Sequence, residues 1–467
     1  MASTNPVASG NILKKVTEGG YCIGCGACAA KDSAYEIVAN EYGLYQARQV
    51  SSPAADTDLV CPFASDIDET DIGSELYGKS SLFDERVGFY KQIYAGYVVE
   101  GDFRAKGSSG GLTTWALAEL LKHRLIDAVI HVGETGQVGE LFQYRISESV
   151  EELQRNAKSR YYPVHMADVL RRIKETNKTY AIVGVPCFIK AVRLLARRDP
   201  QIATRIVFCI ALFCGHFKSK AFAEMIAWQQ GVKPTELTGI DFRVKDSTRP
   251  ASKYSVEVQC IRNVSIRTLN PISISALYGM DWGLGYFKPE ACDWCDDVAG
   301  ETADLACGDA WLPEYVHDHK GTNIAIVRNA TISALIDQAV RDGRLKLDTI
   351  TPEKIHESQS PNYRHRREGL AARISRARQQ HRWHPRKRVD PDQLQITARV
   401  KEVSLVRSRV AHRSHIKFRD AKQRGCFYVF PLSMFFSELR YYLANGRFVR
   451  RSLFATRQLL RLLVRKV

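Results

Sequence analysis

Three thiols separated by two residues each, Cys22-Ile-Gly-Cys25-Gly-Ala-Cys28, constrain this chain more than any other feature. Gaps of two let successive thiolates curl around one centre, and the small residues between them let backbone amides approach the sulfurs. A segment built this way is a loop organised by what it binds. The bacterial ferredoxin run would continue with Cys-Pro, but this chain has Asp32-Ser33 there, and its next such pair is Cys61-Pro62. Cys61 is therefore expected as the fourth ligand of a [4Fe-4S] cluster, delivered by a loop. Three or four thiolates also suit a zinc knuckle, although zinc sites more often pair two CxxC arms.

A second set of thiols is dispersed. Cys292-Asp-Trp-Cys295 lies on a loop, Cys187 stands where a strand-like run ending Gly184-Val185-Pro186 turns into a helix, and Cys214 ends another such run. Strand ends are where open α/β sheets place their sites. These four thiols are candidates for a second cluster, and burial as small hydrophobes is the alternative for Cys187 and Cys214. Cys209 and Cys260 read as core, and Cys307 and Cys426 receive no role.

Residues 93–99, 126–132, 179–185 and 205–213 have strand character, and residues 112–122, 188–198 and 218–230 have helix character. Their alternation predicts an α/β core. Further strands at 237–244, 254–259 and 323–327 predict some mixed sheet. A chain of 467 residues exceeds one compact core, so three parts are expected. They are a small amino-terminal iron–sulfur segment (1–80), a core (81–355) and a basic, mainly helical carboxy-terminal extension (356–467), with helices at 369–382 and 428–467.

Lys106-Gly107-Ser108-Ser109-Gly110-Gly111-Leu112-Thr113 follows the first strand and opens a helix. Glycine turns, hydroxyls and a helix amino end favour an anion such as a dinucleotide pyrophosphate. The pattern is neither a P-loop nor GxGxxG, and a plain helix cap with a glycine turn explains it equally well. Lys158-Ser159-Arg160-Tyr161 adds phosphate and ring contacts, or is a solvated basic turn.

With 45% hydrophobic and 25% charged residues the chain is not disordered, collagen-like or a disulfide scaffold. Its charge is uneven: residues 351–467 carry 28 Lys/Arg against 8 Asp/Glu, while the rest is slightly acidic. Such asymmetry points to an anionic partner, nucleic acid or phospholipid. Arg450, Arg457, Arg461 and Arg465 share one helical face opposite Val449, Leu453, Leu460, Leu463 and Val464. That pattern fits adsorption to an anionic membrane, docking in a protein groove, or packing on its own domain. Nucleic acid ranks lowest, since no recognised nucleic-acid fold signature accompanies the arginines. The amino terminus lacks a signal-peptide pattern, and no run reaches the roughly 18 apolar residues of a membrane span. A cytoplasmic protein is expected, with the basic helix allowing peripheral attachment to the inner membrane face and the thiols kept reduced.

Taken in order, CIGCGAC, Cys61-Pro62, KGSSGGLTT, KSRYYP, GVPC, FCGH, KPEACDWC, ADLACGDAW and GTNIAIVRN resemble the coenzyme F420 hydrogenase/dehydrogenase beta-subunit family, which includes 7-hydroxymethyl chlorophyll a reductase. The resemblance spans roughly residues 20–330. It implies an FAD- and [4Fe-4S]-dependent oxidoreductase. Electrons would pass between a ferredoxin- or deazaflavin-type carrier, the clusters and FAD, to reduce or oxidise a small organic substrate. It makes the amino-terminal segment ferredoxin-like, the serine-glycine loop an FAD phosphate contact, and Cys187, Cys214, Cys292 and Cys295 the flavin-proximal cluster ligands. His216 and Lys158 become candidates to donate protons or steady a reduced flavin, with a structural role the alternative for His216. No residue certifies a deazaflavin pocket, so coenzyme F420 itself stays open. Two other functions stay open as well: an electron-transfer subunit without its own substrate site, and a zinc-stabilised nucleic-acid-binding protein. Family members commonly end soon after the segment matching GTNIAIVRN and the helix beyond it, and this chain adds its basic extension there.

Overall fold

A nearly continuous apolar, β-branched run has no face to give to water, so Tyr180–Gly184 and Ile206–Leu212 must lie inside a covered sheet. In the computed structural model, which describes residues 10–446, they are neighbours at the centre of an eight-stranded sheet. Its strands are β1 (Gln92–Val98), β2 (Ala128–Gln137), β3 (Glu140–Ser147), β4 (Tyr180–Gly184), β5 (Ile206–Leu212), β6 (Leu305–Asp309), β7 (Asn323–Val327) and β8 (Leu345–Thr349). Their spatial order is β8-β1-β7-β6-β5-β4-β2-β3. The central β2, β4, β5 and β6 pair in parallel, and every pairing outside them is antiparallel. The fold is thus mixed α/β. Helix α1 (Leu112–Lys122) follows β1, α2 (Pro186–Ala196) follows β4 and α3 (Lys220–Trp228) follows β5. Pro186 opens α2, where a missing N–H has no intrahelical partner to lose.

The sequence reading misses β3, β6 and β8. The last two are five-residue strands, LACGD and LKLDT, too short and too rich in small or polar residues to show a sustained apolar period. Leu237–Val244 and Ser255–Arg262 do form strands, but in a separate antiparallel sheet.

The extension contributes α4 (Glu368–Gln379), α5 (Ala398–Gln423) and α6 (Val429–Ala444). The sequence reading misses α5, because its buried positions Val406, Val410, Ser414, Phe418 and Ala421 include a serine that blurs the apolar stripe. The extension folds onto the rest of the chain. Phe418 and Phe430 pack around Phe287 with ring centroids 5.3 and 5.4 Å away, and one buried cluster includes Leu13, Cys25, Cys292, Phe418 and Tyr442. Part of the basic surplus is internal. Arg388 pairs bidentately with Glu301 at 2.6 and 2.8 Å, and Arg373 donates to the Asp293 carbonyl at 2.7 Å. The Arg450–Arg465 face lies outside the described residues. Among those described, no helix is long and apolar enough to cross a membrane.

Glu438 on α6 is 2% exposed and accepts a hydrogen bond from the Tyr286 hydroxyl, itself bonded to Tyr278. Burial pushes its carboxyl from 4.5 up to about 7 against the hydrogen bonds that Tyr278 and Tyr286 offer it, and Asp281 adds to the rise. Below about pH 4.5 the group is protonated in both folded and unfolded chains. Between there and pH 7 the unfolded chain ionises first, so stability falls by a few kcal/mol as pH rises. E438Q should remove that slope. The difference between the urea midpoints at pH 5 and pH 8 is expected to change in the variant by the amount that Glu438 contributes; an equal difference in variant and wild type would exclude Glu438 as a source.

Candidate functional site

The cysteine loop folds as it does because it must aim sulfurs and amides inward together. Gly26 has φ +90, and a Cβ there would lie 2.7 Å from the backbone nitrogen of Ala167. Only glycine allows the loop to press this close to the core, where the Met166 amide donates to the Cys25 carbonyl at 2.8 Å. Backbone amides reach all four thiols of this group: Ala47 and Gly24 at Cys22, Ala27 and Gly26 at Cys25, Ala29 at Cys28, Phe63 and Ala64 at Cys61. Burial pushes Cys25 up to about 12. Cys28 is raised well above its ordinary value, first by burial and then by Cys25, Cys22 and Cys61. Thiols so raised become thiolates only around a cationic centre, and binding one must release their protons. Sulfurs ringed by amide donors fit an iron–sulfur cluster.

The second set converges as well, from three separate places in the chain. Cys187 lies in the first turn of α2 after β4, and Cys214 follows β5, so both stand at the ends of adjacent parallel strands. Cys292 and Cys295 come from the short turn Glu290–Trp294 and the residue after it. Cys187 is raised by burial and then by Cys295, Cys214, Cys292 and Cys25, in that order. It thus feels its own group and also the first one. The Phe217 amide donates to Cys292 Sγ at 3.3 Å, and the buried Arg366 acts on all four thiols. Among the described residues no three His, Cys, Asp or Glu side chains form a group for a single ion. A four-iron cluster spreads its thiolates wider than zinc, whose Zn–S bonds are about 2.3 Å.

Beside this second group opens a cavity of about 1320 Å³, larger than the roughly 300–1,000 Å³ that one small ligand occupies. It lies over the ends of β4, β5 and β6, and Cys214 is in its wall. One end is formed by Gly107, Ser108, Ser109, Gly111 and Thr113 at the start of α1. Gly111 has φ +89, and a Cβ there would lie 2.7 Å from the Phe103 carbonyl carbon. The loop is tethered from several sides. Ser109 Oγ donates to the Thr322 carbonyl at 2.9 Å, Leu112 N–H donates to Asn323 at 3.1 Å, and Ser159 N–H donates to Ser108 Oγ at 2.9 Å.

Cations surround this end. Arg243 is held bidentately by Asp309 at 3.0 and 3.1 Å and reaches the Ser108 carbonyl at 3.3 Å. Lys245 donates to the Ser109 carbonyl at 2.9 Å. Burial, then Lys158, Arg104 and Arg243, bring Lys245 down to about 7. Arg160 lines the cavity, pairs with Glu134 at 2.9 Å and keeps two guanidinium nitrogens without a hydrogen-bond partner. This end can hold an anionic group such as a pyrophosphate.

The structure gathers most of the residues singled out from sequence. Lys158, Ser159, Tyr161 and His216 line the same cavity, with Lys158 paired to Asp241 at 3.0 Å and Tyr161 edge-on to Trp282 at 5.1 Å. Two expected cofactor contacts turn elsewhere. Lys106 bonds Gln154 and Asp102 at 3.3 and 3.5 Å, and Gly110 packs against β1 and β7, where a Cβ would lie 2.7 Å from the Gly96 carbonyl oxygen. His216 is held well below the ordinary imidazole range by burial and by Lys218, Arg407 and Lys288, which favours the neutral ring; its Nδ1 lies 3.5 Å from Arg407 Nη2 and its Nε2 has no hydrogen-bond partner. The sequence reading misses Arg243, Lys245 and Trp282. For Arg243 the available signal is an arginine inside the otherwise largely apolar strand LTGIDFRV.

Comparison with known proteins extends this picture. Residues 93–171 and 177–353 match the amino- and carboxy-terminal parts of the coenzyme F420 hydrogenase/dehydrogenase beta subunit, and α4, α5 and α6 lie beyond both matches. An uncharacterised protein of Methanocaldococcus jannaschii is 24% identical over 362 residues, covering 72% of this chain and 92% of that protein. The coenzyme F420-dependent sulfite reductase of the same organism is 25% identical over 246 residues, which are 49% of this chain but only 34% of that longer protein. Among solved structures, the xenon-derivatised F420-reducing [NiFe] hydrogenase complex from Methanosarcina barkeri superposes with a TM-score of 0.45 at 16% identity, covering 60% of this chain and 91% of the matched one.

Proposed function

The chain belongs to the coenzyme F420 hydrogenase/dehydrogenase beta-subunit family, and from that premise we propose that it is an FAD- and [4Fe-4S]-dependent oxidoreductase. In this proposal electrons enter from a ferredoxin or a reduced deazaflavin, pass through the two cysteine groups, and reach a small organic substrate in the cavity. The observation that carries it is the double membership of Cys214, which stands among the second group of thiols and also in the cavity wall. Cys25 of the first group acts on Cys187 of the second, so the two groups adjoin. The succession first group, second group, cavity is one that an electron could follow inward.

When bound, a flavin converts two-electron chemistry into the single-electron steps of clusters. The chain's own residues have simpler tasks. Ser108, Ser109, Arg160 and Arg243 would orient the phosphates, and Tyr161 with Trp282 would shield the rings from water. His216 and Lys158, both in the cavity wall, would be the candidates to hold or supply a proton near the substrate.

Protein purified without oxygen is expected to be brown, with about eight iron atoms and one flavin per chain. Its flavin absorbance should bleach when a reduced carrier is added. A colourless, zinc-containing, flavin-free chain, unchanged after reconstitution with iron, sulfide and FAD, would sink the proposal.

A further inference from the structure

Arg366 lies beyond the family matches, at the end of the helix Ser360–Arg366, and is only 1% exposed. One guanidinium nitrogen, Nη2, donates to the carbonyls of Cys214 and Gly215 at 2.8 and 3.2 Å. The other two, Nε and Nη1, are buried without any hydrogen-bond partner. A buried guanidinium left this way costs several kcal/mol, so the site is built for an anion. The groups that favour its charge most are Cys295, Cys214, Cys292 and Cys187, whose thiolates around an iron–sulfur core would supply that anion.

The amino-terminal group is set up differently. Among the leading influences on Cys22, Cys25, Cys28 and Cys61 are burial, one another and backbone amides, with no arginine or lysine. Lys387 also acts on Cys295, but it has Asp296 at 3.8 Å as a counter-ion. Arg366 is therefore the cation whose unmet donors are committed to the second group.

We infer that Arg366 is the fixed counter-charge of the second cluster and raises its reduction potential above that of the amino-terminal cluster, so that electrons arriving at the surface run inward. Each transfer takes one electron from the first cluster and adds one to the second, and no atom moves. The added electron makes the second cluster more negative by one charge. A cation held against it in a low-dielectric setting stabilises that reduced form more than the oxidised one. The inference rests on the two-cluster reading above. It makes the basic extension part of the redox centre, a role that its sequence does not suggest.

The test is a potentiometric titration, followed by electron paramagnetic resonance, of the full-length chain reconstituted with iron and sulfide. Wild type, R366Q and R366K are compared, with iron counted in each. In R366Q the second cluster's potential is expected to shift negative while the first stays fixed, and R366K should restore most of the shift. If R366Q loses about four irons that R366K keeps, a cation is required to assemble the cluster, which supports the same role. An unmoved potential in R366Q with all iron retained overturns the inference, as does equal iron loss in both variants. A wild-type chain with about four irons, undiminished by C295S, removes the second cluster itself and fails the underlying proposal in a distinguishable way.

Discussion

C28A is expected to strip about four iron atoms from each chain and to stop electron entry from an external carrier, while the second cluster and the flavin remain in place. Cys28 is the thiol on which all three others of its group act, and it sits in the short helix Ala27–Lys31, where alanine is well tolerated. Arg171 and Lys174 anchor that helix by donating to the Ala29 and Ala30 carbonyls at 2.6 and 3.0 Å, so the loop keeps its place without the thiol. Loss of even a supporting partner at a metal site costs about 10- to 100-fold, and loss of a ligand should exceed that. The readouts are iron content and the rate of flavin reduction by reduced ferredoxin, set beside reduction by dithionite, which can bypass the first cluster. Full iron content and an unchanged ferredoxin rate would remove the amino-terminal group from the electron route.

A chain ended at residue 354 is expected to be insoluble, or iron-poor and unfolded at ordinary temperature. Such a truncation uncovers Phe287 and Tyr286, which lie under Phe418 and Phe430. It also leaves Asp293, Asp296 and Glu301 buried without Arg373, Lys387 and Arg388. Removing one partner from a buried ion pair costs about 3–5 kcal/mol, and burial of each large aromatic contributes about 1.5–3 kcal/mol. Several such losses exceed the roughly 5–15 kcal/mol that holds a domain folded. Soluble yield, iron content and the thermal transition of the truncated chain check this. A folded monomer with wild-type iron would show that the extension is an independent appendage.

Much of the core is legible in the chain because its signals are local. The apolar runs at β4 and β5 require burial wherever they occur, and the alternation with α1, α2 and α3 points to parallel strands. Polar or glycine-bearing strands such as β6 and β8 carry no comparable signal, since their pairing is decided by the neighbours they meet. Helix α5 hides for a related reason. Its buried face contains Ser404, Ser414 and His415, residues that become acceptable inside only when partners arrive from elsewhere, as when Ser414 Oγ accepts from the Phe287 amide at 2.8 Å.

The amino-acid sequence by itself determined the grouping of Cys22, Cys25 and Cys28, because two-residue spacing is a constraint within one loop. It also determined the strand–helix alternation of the core and the site-bearing strand ends at Cys187 and Cys214. Only the tertiary structure decided that Cys187, Cys214, Cys292 and Cys295 meet, that Arg243 and Lys245 lie beneath the serine-glycine loop, and that the extension is folded inward. Arg366 is the plainest case. In sequence it is one more charge in a basic run, and in the fold it donates to a carbonyl 152 residues away. Local spacing records which groups a short segment can bring together, whereas desolvation and long-range ion pairing depend on contacts that exist only after the chain has packed.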